Sequence, residues 1–204
     1  MQVITKIIEN ILTALYQPFW FAMFSAVLLT FFYLYAYHPV NAGKGVKLVL
    51  RSWLHEFMSS VFFRKLFLLS FFTVMILFRT LLNRNMWENP LSDIMGGWWI
   101  WKVNNGEKQL TTECFENLLL MLPFTFLLFW TFSEKILESV RLWTTLWKGI
   151  KIAFLFSFTI EMLQLFLRLG TWQLSDLFYN TVGGGIGGLL YFVFYKIKRR
   201  SSRE

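Results

Sequence analysis

Apolar residues fall in five long runs, 18–37, 66–82, 115–132, 150–167 and 177–195, separated by stretches where charged and amide residues collect. An α-helix rises about 1.5 Å per residue, so each run is about long enough to cross a hydrocarbon core of roughly 30 Å. Before the first run, Ile4, Ile7, Ile8, Ile11, Leu12 and Leu15 recur at the spacing of one helix face. That pattern predicts a helix lying in the membrane interface over 1–17. Residues 44–63 mix Lys44, Lys47 and Arg51 with Leu48, Trp53, Leu54, Phe57 and Met58, which suits a second helix resting on an anionic leaflet. The connection 133–148, with Trp143 and Trp147, reads the same way. The longest stretch without apolar period, 83–114, holds Trp87, Trp98, Trp99 and Trp101, rings that favour headgroup depth. Within it, Asn105-Gly106 between 98–103 and 108–112 is a hairpin signal, because both turn residues tolerate positive φ. The expected fold is an all-α polytopic membrane protein in one domain. It has an interfacial helix 1–17, a bundle of about five transmembrane helices over 18–195, and a basic tail 196–204.

Composition supports lipid as the solvent: 56% of the 204 residues are hydrophobic, with 24 Phe and 10 Trp, more apolar surface than a soluble domain of this length buries. The net charge of +8 does not point to nucleic acid, because the cations sit in short clusters beside the apolar runs. They read as topology signals. With the carboxyl terminus inside, the segments 38–65, 133–151 and 196–204 hold about 14 of the 20 Lys and Arg, and about 5 lie outside. This ratio predicts an outside amino terminus and a cytoplasmic carboxyl terminus. A cleaved leader ending near Val40-Asn41-Ala42 is the rival reading, against which stand the length of the first apolar run and Glu9. A lone cysteine, Cys114, excludes an internal disulfide and reads as a small apolar filler, and no cofactor or metal site is expected.

Ionisable groups inside a span are costly unless paired or hydrated, so each is a functional candidate. The fourth run carries Glu161, Gln164 and Arg168 at i, i+3 and i+7, an arc of roughly 60° on a helix. Asp176 and Asn180 make one stripe on the fifth, beside Thr181. Arg79 closes the second run, and Glu116 and Asn117 open the third. The predicted orientation brings all of them to the outer leaflet. Plainer readings exist: Arg79 and Arg168 as snorkelling span ends, Asp176 as an N-cap, and Glu161 as half of a structural ion pair with Arg168 or Arg79.

The fifth run also contains Gly183-Gly184-Gly185-Ile186-Gly187-Gly188, two overlapping G-x-x-x-G patterns. Small residues at that spacing let helix backbones approach closely. Packing against the third or fourth span is the expected use, a homodimer seam through 183–188 the alternative. A phosphate loop does not fit, since no Lys-Ser or Lys-Thr follows the glycines.

Two stretches carry a resemblance: Glu116-Asn117 followed by LLLMLPFTFLL, and SFTIEMLQLFLRLGTWQLSDLFYNTVGGGIGG. With them the chain resembles the VanZ-like family of bacterial membrane proteins over about half its length, from Cys114 to Lys196. The resemblance implies a Gram-positive cell-envelope setting and a link to reduced susceptibility to glycopeptide or lipoglycopeptide antibiotics such as teicoplanin. It carries over to Asn117, Glu161, Gln164, Arg168, Asp176 and Asn180, and implies no established reaction. Three functions stay open. In the first, Arg79 and Arg168 hold the phosphate of an envelope lipid, a lipid-linked cell-wall precursor or a lipoglycopeptide beside it. Glu161, Asp176, Asn117, Gln164 and Asn180 then bond sugar or peptide groups. In the second, an intramembrane enzyme uses Glu161 or Asp176 as base or nucleophile. The third is a transporter, for which Pro123 and the glycine run are the only irregular elements in a span.

Overall fold

A computed structural model describes residues 2–37, 45–84, 87, 89–99, 101–104 and 107–201. His38, the 40–42 segment, Lys44, the Asn105-Gly106 turn and the last residues of the tail lie outside the described residues. In chain order the helices are α1 (Gln2–Tyr16), α2 (Phe19–Phe32), α3 (Val46–Ser59), α4 (Val61–Leu77), α5 (Glu113–Ile136), α6 (Leu142–Leu167) and α7 (Leu174–Ser201). The helices α2 and α4 are each prolonged by a π turn, Tyr33–Tyr37 and Phe78–Leu82. Among the described residues, five helices are long and apolar enough to cross a membrane: Phe19–Tyr37, Val61–Leu82, Glu113–Ile136, Leu142–Leu167 and Leu174–Ser201. Helices satisfy their backbone N–H and C=O groups internally, which is what an environment without water demands. Two short strands, β1 (Trp101–Asn104) and β2 (Glu107–Leu110), pair antiparallel between α4 and α5.

The span ends differ from the apolar runs where capping chemistry overrides hydropathy. The helix α4 starts at Val61 because the Ser60 side chain accepts the Phe63 N–H at 3.2 Å. The connection expected over 133–148 shrinks to 137–141. Trp143 and Trp147 belong to the first turns of α6, 66% and 62% exposed, and no separate interfacial helix forms there. The expected surface helices do form as α1 and α3. Ile4, Ile8 and Leu12 of α1 are exposed, and α3 buries no residue completely, although Trp53 donates to Thr30 Oγ1 and stacks on Phe57.

The core lies between α4, α5 and α6, where Leu69, Ile76, Met121, Phe124 and Ile160 interlock. The helix α7 sits against both α5 and α6, and its glycines explain how. A Cβ on Gly183 or Gly187 would strike the carbonyl of Leu118 or Leu122 in α5, while one on Gly184 or Gly188 would strike that of Gly149 or Thr145 in α6. Each G-x-x-x-G pattern thus serves a different neighbour, and both faces are occupied within the chain. Gly149 answers Gly184 from the other side, its own added Cβ falling 2.6 Å from the Gly184 carbonyl oxygen. This triple contact fixes the first turns of α5 and α7 beside the last turns of α6.

Candidate functional site

At that end of the bundle the costly polar side chains converge. Glu161 and Gln164, one turn apart on α6, are 2% and 1% exposed. Asp176 and Asn180 are buried on α7, and Asn117 on α5. Asn117 Nδ2 donates to Asp176 Oδ1 at 2.7 Å, with Ser175 Oγ at 3.5 Å from the same oxygen. Asn180 Nδ2 donates to Ser157 Oγ at 2.9 Å. Gln164 Nε2 donates at 2.7 Å to the carbonyl of Thr80, one of the last carbonyls of the second span, which have no intrahelical donor. Glu161 Oε2 accepts the Gln173 backbone N–H at 3.0 Å, which ties the helix end to the α6–α7 connection. Among the described residues no Lys or Arg lies within ion-pair distance of Glu161.

The arginines divide into three situations. Arg79, in the π turn, is closed on Glu116, which also accepts from Thr112 Oγ1. Asn10 of α1 in turn donates to Thr112 Oγ1 at 2.8 Å, so the surface helix is anchored at this end. Arg84, just past the second span, stands 3.8 Å from Asp176 Oδ2 with its side chain 34% exposed, and its charge acts on both Asp176 and Glu161. Arg168 stands apart. The expected stripe of Glu161, Gln164 and Arg168 ends after two members, because α6 stops at Leu167 and Arg168 is its C-cap in the left-handed region at φ 54°. There its side chain is exposed, and its carbonyl accepts the Trp87 N–H at 3.0 Å. Arg84, whose charge acts on both Glu161 and Asp176, was not singled out by the pattern of span residues.

Residues 89–98, between α4 and β1, roof this cluster. Its backbone is stitched to the α6–α7 connection by Trp172 N–H to Pro90 O at 2.8 Å and Leu174 N–H to Ile94 O at 2.9 Å. Gln173 Nε2 reaches Asp93 Oδ2 at 3.3 Å, and Tyr179 OH donates to the Trp98 carbonyl at 2.6 Å. Gly96, at φ 67°, passes where an added Cβ would overlap Ser175 Oγ, and Gly97 presses on Glu113. Trp87 and Trp99 point outward, 81% and 78% exposed, whereas Trp98 packs inward on Phe178 and Tyr179. Among the described residues, three buried polar atoms in this half have no protein partner: Gln164 Oε1, Trp98 Nε1 and Trp172 Nε1. Buried polar groups are normally bonded, so these acceptors and donors are available to water or a ligand. No group of three or more His, Cys, Asp or Glu able to hold a metal ion occurs among the described residues.

A model of the family described as VanZ/LLP1 matches residues 11–195, which takes in the first four spans, most of the fifth and every residue of the polar cluster. No curated protein and no solved structure matches the chain.

Proposed function

The chain belongs to the VanZ/LLP1 family of membrane proteins, linked as a family to antibiotic resistance, and we propose that it binds a phosphate-bearing envelope lipid or headgroup at the polar end of its bundle. One observation carries this reading. A guanidinium about a third exposed, Arg84, stands loosely over a buried set of two carboxylates and three amides, next to a second arginine already neutralised by Glu116. A structural ion pair would close to hydrogen-bond distance, as Arg79 does. A pair at 3.8 Å with a third of the cation open leaves the planar donor fork free for phosphate oxygens. Behind it, Gln164 Oε1 and the tryptophan N–H groups match the donors and acceptors of a sugar or peptide headgroup.

This reading includes an outside amino terminus, since the cation ratio then puts the polar end in the outer leaflet, where envelope intermediates and lipoglycopeptides such as teicoplanin act in a Gram-positive cell. The test is to express Arg84→Gln and Glu161→Gln in a strain lacking its own copy and measure teicoplanin susceptibility with membrane abundance. Loss of protection at unchanged abundance is expected for both. Full protection by either variant would remove that residue from the site.

A second reading rests on Glu161 alone. A buried carboxylate with no ion-pair partner among the described residues, one backbone donor, and Asp176 in the same cluster is equipped for acid–base work on a bound lipid. Glu161→Asp separates the two: a binding role tolerates the shorter carboxylate, whereas proton transfer, which needs hydrogen-bond reach, loses turnover with binding intact.

A further inference from the structure

A second cleft, of about 390 Å³, opens at the opposite end of the bundle, between the start of α4 and the ends of α5 and α7. Its charged lining is Lys65, Lys198 and Arg199 against a single carboxylate, Glu134. Its walls are aromatic and rigid. Trp130 and Phe194 meet edge to face at 5.9 Å, and Tyr191 beneath them is 4% exposed. Lys65 is held at the mouth: its Nζ donates to the Trp130 carbonyl at 3.1 Å and lies 5.0 Å from the centre of the Trp130 ring. Neither contact neutralises the ammonium.

We propose that this cleft is a binding site for an anionic phospholipid with a hydroxyl-bearing headgroup, of the phosphatidylglycerol type. Three cations from two helices converge on one phosphate, as basic pockets between transmembrane helices do for lipid headgroups. Glu134 sets the class. A carboxylate in the lining repels a second phosphate but accepts hydrogen bonds from headgroup hydroxyls, which a choline cannot offer. The volume holds a headgroup and not whole acyl chains, which extend outside the cleft. This site is at the end away from Arg84 and is independent of the outer-leaflet reading.

The test uses the purified full chain in a neutral detergent. Its melting temperature is compared after addition of phosphatidylglycerol, phosphatidylcholine or inorganic phosphate, with native mass spectrometry counting retained lipid. Phosphatidylglycerol should raise the melting temperature and stay bound, phosphatidylcholine should do neither, and inorganic phosphate should have little effect. Lys65→Gln with Arg199→Gln should weaken retention by about tenfold, while Arg200→Gln, outside the cleft, should not. Because Lys65 also braces Trp130, the exposed Arg199→Gln alone decides the matter if the double variant folds poorly. Equal effects of the two lipids, an equal loss in Arg200→Gln, or a shift reproduced by inorganic phosphate would overturn the proposal.

Discussion

The polar side chains at the mouth of the bundle differ in what holds them, and substitution should sort them accordingly. Asn117 and Asp176 are buried and joined at 2.7 Å, so Asn117→Ala strips a donor from a buried carboxylate and should cost about 1–3 kcal/mol. Replacing both by leucine should recover much of that loss. Arg84 is the converse case. Its pair is long and partly exposed, worth about 0–1 kcal/mol, so Arg84→Gln should leave the melting temperature almost unchanged. Thermal unfolding of the purified variants checks both. Most members of this cluster were readable in the sequence because an ionisable or amide residue inside an apolar run stands out by its cost. Arg84 was not, since an arginine just past a span end is ordinary. Its environment is a product of the chain turn, where Gly170 at φ 82° lets the α6–α7 connection pass close to it. Arg168 erred the other way. The helical period carries it onto the Glu161 face, and only the glycine two residues on signalled that the helix ends first.

Between helices, the glycine run makes the sharpest claim. A methyl group at Gly183, Gly187 or Gly188 meets a backbone carbonyl of a neighbouring span, which cannot move aside without shifting the helix. At Gly185 it meets only the flexible ends of Ile150 and Leu146, at 3.0 and 3.4 Å. Gly183→Ala and Gly188→Ala should therefore destabilise by about 1–3 kcal/mol. Gly185→Ala should be close to neutral, with its gain in helix propensity offsetting mild crowding. Melting temperatures of the three alanine variants in one detergent give the comparison. Equal effects at Gly185 and Gly188 would contradict the packing described. The spacing of four announced a close approach, but not that the two interleaved patterns face different partners. That follows from the successive glycines pointing about 100° apart around α7 while α5 and α6 flank it. Span centres were likewise plain from hydropathy. Their ends were not: the Ser60 cap is a local hydrogen bond and not a matter of apolar content, and α6 starts at Leu142, well before its apolar run.

In its membrane, the protein has two chemically distinct ends: a hydrogen-bonded cluster roofed by residues 89–98, and a basic cleft near the carboxyl terminus. The cation ratio predicts that the first faces outward. In a Cys114→Ala background, a cysteine at Asn105 should react with a membrane-impermeant reagent in intact cells, and one at Ser201 only after lysis. The reverse result would move the polar cluster to the cytoplasmic leaflet. The roof was only partly legible: its length suggested a role, whereas the backbone bonds from Trp172 to Pro90 and Leu174 to Ile94 join segments about eighty residues apart, which no local pattern reports. That a loosely held arginine beside buried carboxylates forms a phosphate site is tested most directly by the affinity of the protein in nanodiscs for a polyisoprenyl phosphate. Arg84→Gln is measured beside Arg168→Gln, an exposed arginine at the same end that caps α6. Arg84→Gln should weaken binding by about tenfold or more and Arg168→Gln by less than about twofold. Equal losses in both variants, or none in either, would contradict a site built around Arg84.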